Sequence, residues 1–234
     1  MSAKILVKQV DQAVVTHLAE TFDLPHFIAA TLASRGVIQD EQVERFLHPS
    51  LVRDWRDPYD IEGMEEVIER LLAALKRSAR ILVFGDFDVD GITATSIMTR
   101  GLRALGAEVI PFIPLRFEEG YGLSAKAIER VIGLNPDLVI TVDNGIAASD
   151  EVEHLKREGI EVIITDHHEP AEAVPKGVPL IDPKCGNNPS SILAGAGVAL
   201  KAIQALGARL GKPHLWRSLV DLATLGTIAD LMPM

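Results

Sequence analysis

Ile81-Leu82-Val83-Phe84-Gly85-Asp86-Phe87-Asp88-Val89-Asp90-Gly91 decides how the rest of the chain is read. Four apolar residues closed by a glycine suit a short strand buried on both faces. Aspartates then occupy three alternate positions, and a helical pattern starts at Ile92. If the backbone stays extended through the triplet, Asp86, Asp88 and Asp90 point to one side, because side chains alternate along a strand. Three carboxylates so close repel one another unless a cation lies between them. The stretch therefore predicts a metal site at the carboxyl end of a strand, where open α/β sheets place their ligands.

Downstream, short apolar runs alternate with amphipathic ones. Residues 81–85, 108–113, 137–141, 161–165 and 178–181 read as strands, and 92–105, 124–132, 148–158, 194–210 and 215–229 as helices. Ser124 suits a helix start, while Gly106, Gly133 and Gly159 suit helix ends. Such alternation predicts an α/β fold: a parallel sheet of about five strands, flanked by helices on both faces and joined by right-handed crossovers. Upstream, Ile61, Met64, Val67, Ile68, Leu71, Leu72 and Leu75 recur at helical spacing across 61–80. Residues 54–59 form a proline-bearing connector, 40–47 a short helix with acids in its first turn, and 11–36 a helical stretch broken at Leu24-Pro25. Residues 5–7 suit a strand or an arm. The expected organisation is an N-terminal helical extension, 1–60, packed on a main domain, 61–234.

Composition narrows the class. The 234 residues suffice for a sizeable core, and 47% hydrophobic content with 5% aromatics suits an α/β protein. No apolar run is long enough for a membrane span and no signal-peptide core opens the chain, so a cytoplasmic setting without membrane contact is expected. The one cysteine, Cys185, excludes an intrachain disulfide and has no base beside it in sequence. A net charge of −10 argues against nucleic acid as a partner, unless carboxylates hold divalent cations where the substrate sits.

Three further clusters fall just past apolar stretches: Val142-Asp143-Asn144-Gly145, Asp166-His167-His168 and Gly226-Thr227-Ile228-Ala229-Asp230. Parallel strands share one carboxyl edge, so Asp86, Asp88, Asp90, Asp143, His167 and His168 should converge there. Singly, each has a plainer reading. An aspartate after a strand is usually a cap or turn residue, as Asp143 or Asp166 could be, and His17, His26, His48, His154 and His214 read as surface or packed residues. The triplet is not a calcium loop, for it lacks the closing Glu, nor a phosphate-cradling loop, for no Lys-Ser/Thr pair follows. Caps and chance do not account for four clusters at one edge. Oxygen-rich ligation with imidazole suits manganese or magnesium better than zinc, and a surplus of carboxylates suits two ions sharing a bridge, for which Asp143 is the candidate. His167 then binds metal, and His168 donates to a phosphoryl oxygen or a proton-transfer water.

Together these motifs resemble those of the DHH phosphoesterase superfamily, and within it the RecJ-type exonucleases that degrade single-stranded DNA from the 5′ end. The segments Arg116-Phe117-Glu118-Glu119-Gly120-Tyr121-Gly122-Leu123-Ser124 and Leu193-Ala194-Gly195-Ala196-Gly197-Val198-Ala199 strengthen the likeness, as do Ala33-Ser34-Arg35-Gly36 and Phe46-Leu47. The resemblance implies two divalent ions, Mn2+ or Mg2+, ligated by Asp88, Asp90, Asp143, His167 and Asp230, with Asp86 and His168 beside them. It implies substrate contacts from Arg116, Asn144 and Gly195, with Arg116 gripping the 5′-terminal phosphate bidentately. Single-stranded DNA is the implied partner, with a single-strand-binding protein and a helicase as companions in recombination and repair. RecJ-type chains carry DHHA1 and OB-fold domains after this point, so the chain is expected to be the catalytic core of a longer protein. Two other readings stand beside this one. One is a DHH phosphoesterase acting on oligoribonucleotides, cyclic dinucleotides or pyrophosphate. The other is a non-catalytic scaffold in replication.

Overall fold

The computed structural model describes residues 8–115, 122–170, 173–186, 188 and 190–233. The expected strand at 5–7, and Arg116, Phe117 and Tyr121, lie outside them. The chain divides into two compact units, Met1–Arg56 and Asp57–Met234.

The first unit is helical. α1 (Gln12–Thr21) is capped by Asp11, whose carboxylate accepts the Ala13 N–H, and α2 (His26–Ser34) starts after Pro25, where the X-Pro bond was expected to break the helix. α3 (Asp40–Leu47) carries Asp40 and Glu41 in its first turn and Arg45 in its last, the charge order that a helix dipole favours. Val15, Leu18, Ala29, Leu32 and Val43 form a small core of their own.

The second unit opens with a 3-10 turn, Pro58–Asp60, and α4 (Met64–Lys76). The helix expected from 61 begins only at Met64, because Gly63 takes φ +84°, a left-handed value that ends the preceding turn. Five strands follow: β1 (Arg80–Phe84), β2 (Glu108–Phe112), β3 (Leu138–Val142), β4 (Glu161–Thr165) and β5 (Leu180–Ile181). All are parallel, in the order β2-β1-β3-β4-β5. Between them run α5 (Val89–Ala104), α6 (Ala125–Gly133) and α7 (Ser149–Arg157), and α8 (Gly195–Arg209) and α9 (Val220–Ala229) close the unit, a 3-10 turn at Leu215–Leu219 preceding α9. The expected α/β fold with a five-stranded parallel sheet and helices on both faces is what forms.

The two faces follow the period of two. Leu82 and Phe84 pack with Val139, Val162 and Ile164 beneath α6 and α7, and Phe84 stacks on Phe112 at 5.3 Å between ring centroids. Ile81 and Val83 face the other way and are also fully buried, while α5, α8 and α9 pack against one another on that side. Strand burial on both faces accounts for the unbroken apolar runs. The strand order reverses between β1 and β3, and the loops that follow these two strands open at that switch point.

Candidate metal centre

The aspartate triplet does not stay extended. Asp86 follows β1, but Asp88 is the N-cap of α5 and Asp90 lies in its first turn. The helix thus begins at Val89, three positions before the expected Ile92, because the Asp88 carboxylate accepts the Gly91 N–H at 2.9 Å and satisfies a donor the helix would otherwise orphan. A shared extended face therefore does not bring the three acids together. The turn does so instead, and Gly91 permits it: a Cβ there would sit 2.7 Å from the Asp86 backbone.

The remaining residues arrive from neighbouring elements. Asp143 follows β3 with φ +62°, a left-handed conformation that Asp and Asn tolerate better than most residues. His167 and His168 follow β4, and Asp230 caps the C-terminal end of α9. Three overlapping sets of ligand atoms result, each set lying within 4.8 Å: Asp86, Asp88 and Asp143; Asp143, His167 and His168; Asp90, His167 and Asp230. Asp143 belongs to two sets and His167 to two. His167 Nε2 is the hub, 2.9 Å from Asp143 Oδ1, 3.6 Å from Asp90 Oδ2 and 3.7 Å from Asp230 Oδ2.

Two glycines make the approach possible. A Cβ on Gly195 would lie 2.6 Å from Asp143 Cβ, and one on Gly226 only 2.4 Å from Asp90 Oδ1. The Gly195 and Ala196 N–H groups donate to Asp90 at 2.6 and 2.9 Å, so Asp90 also caps the first turn of α8. Asn144 is buried, its Nδ2 donating to the Val142 carbonyl at 2.9 Å and the Phe84 carbonyl at 3.4 Å.

Electrostatics favour a cation here. Burial pushes Asp143 up to about 7 and also raises Asp90, each against the pull of His167. Burial would lower His167, but the Asp143 carboxylate beside it outweighs that and raises it. Asp143 Oδ1 has no aligned hydrogen-bond donor among the described residues although His167 Nε2 is 2.9 Å away. Hard oxygen donors in excess, an imidazole and two missing Cβ atoms suit a divalent cation.

His168 differs from its neighbour. Its side chain is 43% exposed, and its Nδ1 lies 2.7 Å from Asp166 Oδ1, which raises the imidazole to about 9. Asp166, buried, also accepts the N–H groups of His167, His168 and Ile146. Burial alone would raise Asp166, yet these hydrogen bonds hold it below the ordinary value. Asp166 is thus both the expected turn residue and the group that orients His168. Sequence reasoning missed Asp182, a carboxylate fully buried past β5, because a two-residue strand gave little pattern to read.

A doubly wound parallel sheet with acids and histidines gathered at its switch point defines an α/β domain with groups positioned to bind a metal ion. Residues 80–227 match the DHH family, N-terminal domain, and the chain belongs to that family. The chain is 40% identical over 231 residues to the single-stranded-DNA-specific exonuclease RecJ of Bacillus subtilis strain 168, covering 97% of this chain and 28% of that protein. The crystal structure of RecJ in complex with Mn2+ from Thermus thermophilus superposes with a TM-score of 0.75 at 35% identity, over 95% of this chain and 31% of that one. The same protein in complex with Mg2+ superposes at 0.61 and 31% identity, over 95% and 27%. The chain spans well under half the length of the curated relatives it matches. Among the described residues no helix is long and apolar enough to cross a membrane.

Proposed function

We propose that this chain is the nuclease domain of a metal-dependent exonuclease that degrades single-stranded DNA from its 5′ end to 5′-mononucleotides, in the cytoplasm, during recombination and repair. The observation that carries the reading is the overlap of three ligand sets at one sheet edge through Asp143 and His167. In this reading Asp88, Asp90, Asp143, His167 and Asp230 hold two ions, Mn2+ or Mg2+, with Asp143 as the bridge and Asp86 beside them. When bound, the ions would supply Lewis acidity, lowering the pKa of an attacking water and offsetting charge on the phosphate.

The protein's own groups do the rest. The Asp166 carboxylate fixes the His168 ring by its Nδ1 and keeps it protonated near neutrality, so the other edge of the ring can donate to a phosphoryl oxygen or to the leaving 3′-oxygen. Asn144 and Gly195, whose N–H groups go to the Phe84 and Val142 carbonyls and to Asp90, support the site from within, and Arg116 would grip the terminal phosphate. The specificity for which the RecJ relatives are named supports single-stranded DNA as substrate. A single-strand-binding protein and a helicase are the partners such a process calls for.

The test is release of mononucleotides from long 5′-phosphorylated single-stranded DNA with Mn2+, beside duplex DNA and a dinucleotide. Asp143→Ala should abolish release with its fold intact by circular dichroism. Turnover by that variant near the parent's rate, or equal cleavage of dinucleotide and long strand, would overturn the reading.

A further inference from the structure

Asp182 is completely buried at the carboxyl end of β5, on the same edge as the metal centre. Register places it there: Thr165 pairs with Ile181, and the Asp166 N–H donates to the Ile181 carbonyl at 3.0 Å. Its Oδ1 accepts the Lys184 N–H at 2.8 Å, and its carbonyl accepts the Cys185 N–H at 3.0 Å, an ordinary Asx turn. That turn needs one oxygen and no charge. Oδ2, however, is buried without a hydrogen-bond partner among the described residues. The Lys184 ammonium does not supply one, for it pairs with Glu169 at 3.3 Å. Leaving a carboxylate oxygen buried and unpaired costs several kcal/mol, so an uncharged Asn or Ser would serve the turn at lower cost.

A complementary orphan lies in the same neighbourhood. His167 directs Nε2 at Asp143, Asp90 and Asp230, which makes Nε2 the metal-facing nitrogen. Its Nδ1 is buried with no hydrogen-bond partner among the described residues. A metal-bound imidazole usually gives its other N–H to a carboxylate, carbonyl or water, which fixes tautomer and ring orientation. Asp166 does not accept it: its Oδ1 takes the His167 and His168 N–H groups and His168 Nδ1, its Oδ2 takes the Ile146 N–H, and His167 Nδ1 stays without a partner. Asp182 follows Ile181 as Asp166 follows Thr165, its register partner, so Asp182 sits beside the turn that carries His167, and its Oδ2 is uncommitted.

We propose that Asp182 is a positioning residue for the metal centre, its Oδ2 accepting the Nδ1 proton of His167 through one bridging water. The carboxylate thereby holds His167 in the tautomer whose Nε2 lone pair faces the metal and raises that nitrogen's basicity. This rests on the metal reading above and adds to it a group outside the three ligand sets.

Asp182→Asn separates this role from the turn. The amide oxygen still accepts the Lys184 N–H, but the amide nitrogen cannot serve as the acceptor that Oδ2 provides. The variant should melt no lower than the parent without metal, while Mn2+ affinity by calorimetry falls about 10- to 100-fold, the usual effect of losing an outer-shell partner. Mn2+ affinity within threefold of the parent would overturn the proposal. A second readout uses the unaltered protein: in histidine labelled with 15N, His167 Nδ1 should carry a slowly exchanging proton with and without Mg2+, and in Asp182→Asn that proton should exchange fast. A fast-exchanging proton in the parent would refute the pairing even if the variant fails to fold. If the parent binds no Mn2+ at all, the metal reading fails, and the metal-free spectrum still decides the pairing.

Discussion

Replacing Asp143 by Asn should stabilise the metal-free protein and do so only above acidic pH. Asp143 is 2% exposed, and burial raises it from the ordinary 3.8 to about 7. A carboxyl raised in the folded state binds more protons folded than unfolded between those two values, so stability falls as pH rises from about 4 and levels off above 7. At 1.36 kcal/mol per pH unit the penalty from Asp143 alone is about 4 kcal/mol. That figure already contains the attraction to His167, which holds Asp143 lower than burial alone would, so the gain at pH 8 is about 4 kcal/mol. For a unit of this size that raises the melting temperature by about 8–16 °C. The amide is nearly isosteric, and Asn tolerates the left-handed φ of +62° that Asp143 adopts, so no strain offsets the gain. The assay is thermal unfolding of parent and variant in a chelator at pH 4 and pH 8, then with saturating Mn2+. At pH 4 the two should melt together; at pH 8 the variant should melt higher; with Mn2+ the order should reverse, because a ligand that binds only the folded parent stabilises it. A variant less stable than the parent at pH 8 in chelator, or an advantage equal at both pH values, would refute the argument that this carboxylate is held at a cost for the sake of a cation.

Two further substitutions probe the same edge. Gly195→Ala puts a methyl 2.6 Å from Asp143 Cβ and 2.8 Å from its Oδ1. It should weaken Mn2+ binding more than tenfold by calorimetry and cost about 1–3 kcal/mol in urea unfolding, whereas Gly133→Ala, with nothing within 4 Å, should change neither. Asp166→Asn removes the main cause of the raised His168 imidazole. The His168 titration followed by NMR should move from about 9 toward 6.5, and the stability that the pair contributes below 6.5, lost in the parent as pH rises through about 9, should be absent in the variant. A midpoint still near 9 would show that Asp166 does not set it.

The sheet was legible because parallel strands buried on both faces leave unbroken apolar runs, and β4 falls at 161–165 as expected. The convergence of the acids was legible for a topological reason: parallel strands end at one edge, whatever their separation in sequence. What the sequence concealed was local geometry that only packing fixes. The Asp-x-Asp-x-Asp spacing fits an extended strand and a capped helix equally well, and the Gly91 N–H on Asp88 decides for the helix. Gly226 sits inside a helix, where it costs about 1 kcal/mol relative to Ala, and that cost was a readable sign that backbone had to come close to something, whereas Gly195 opens its helix and carried no such sign. The meaning of both glycines waited for Asp143 and Asp90 to arrive from other elements. Asp182 gave no such sign, since Asp-Pro after a short apolar run is an ordinary turn, and only its burial with one oxygen unpaired sets it apart. The acids that end strands were read from the sequence because the topology gathers strand ends at one edge, and Asp182 became visible only once β4 and β5 were in register.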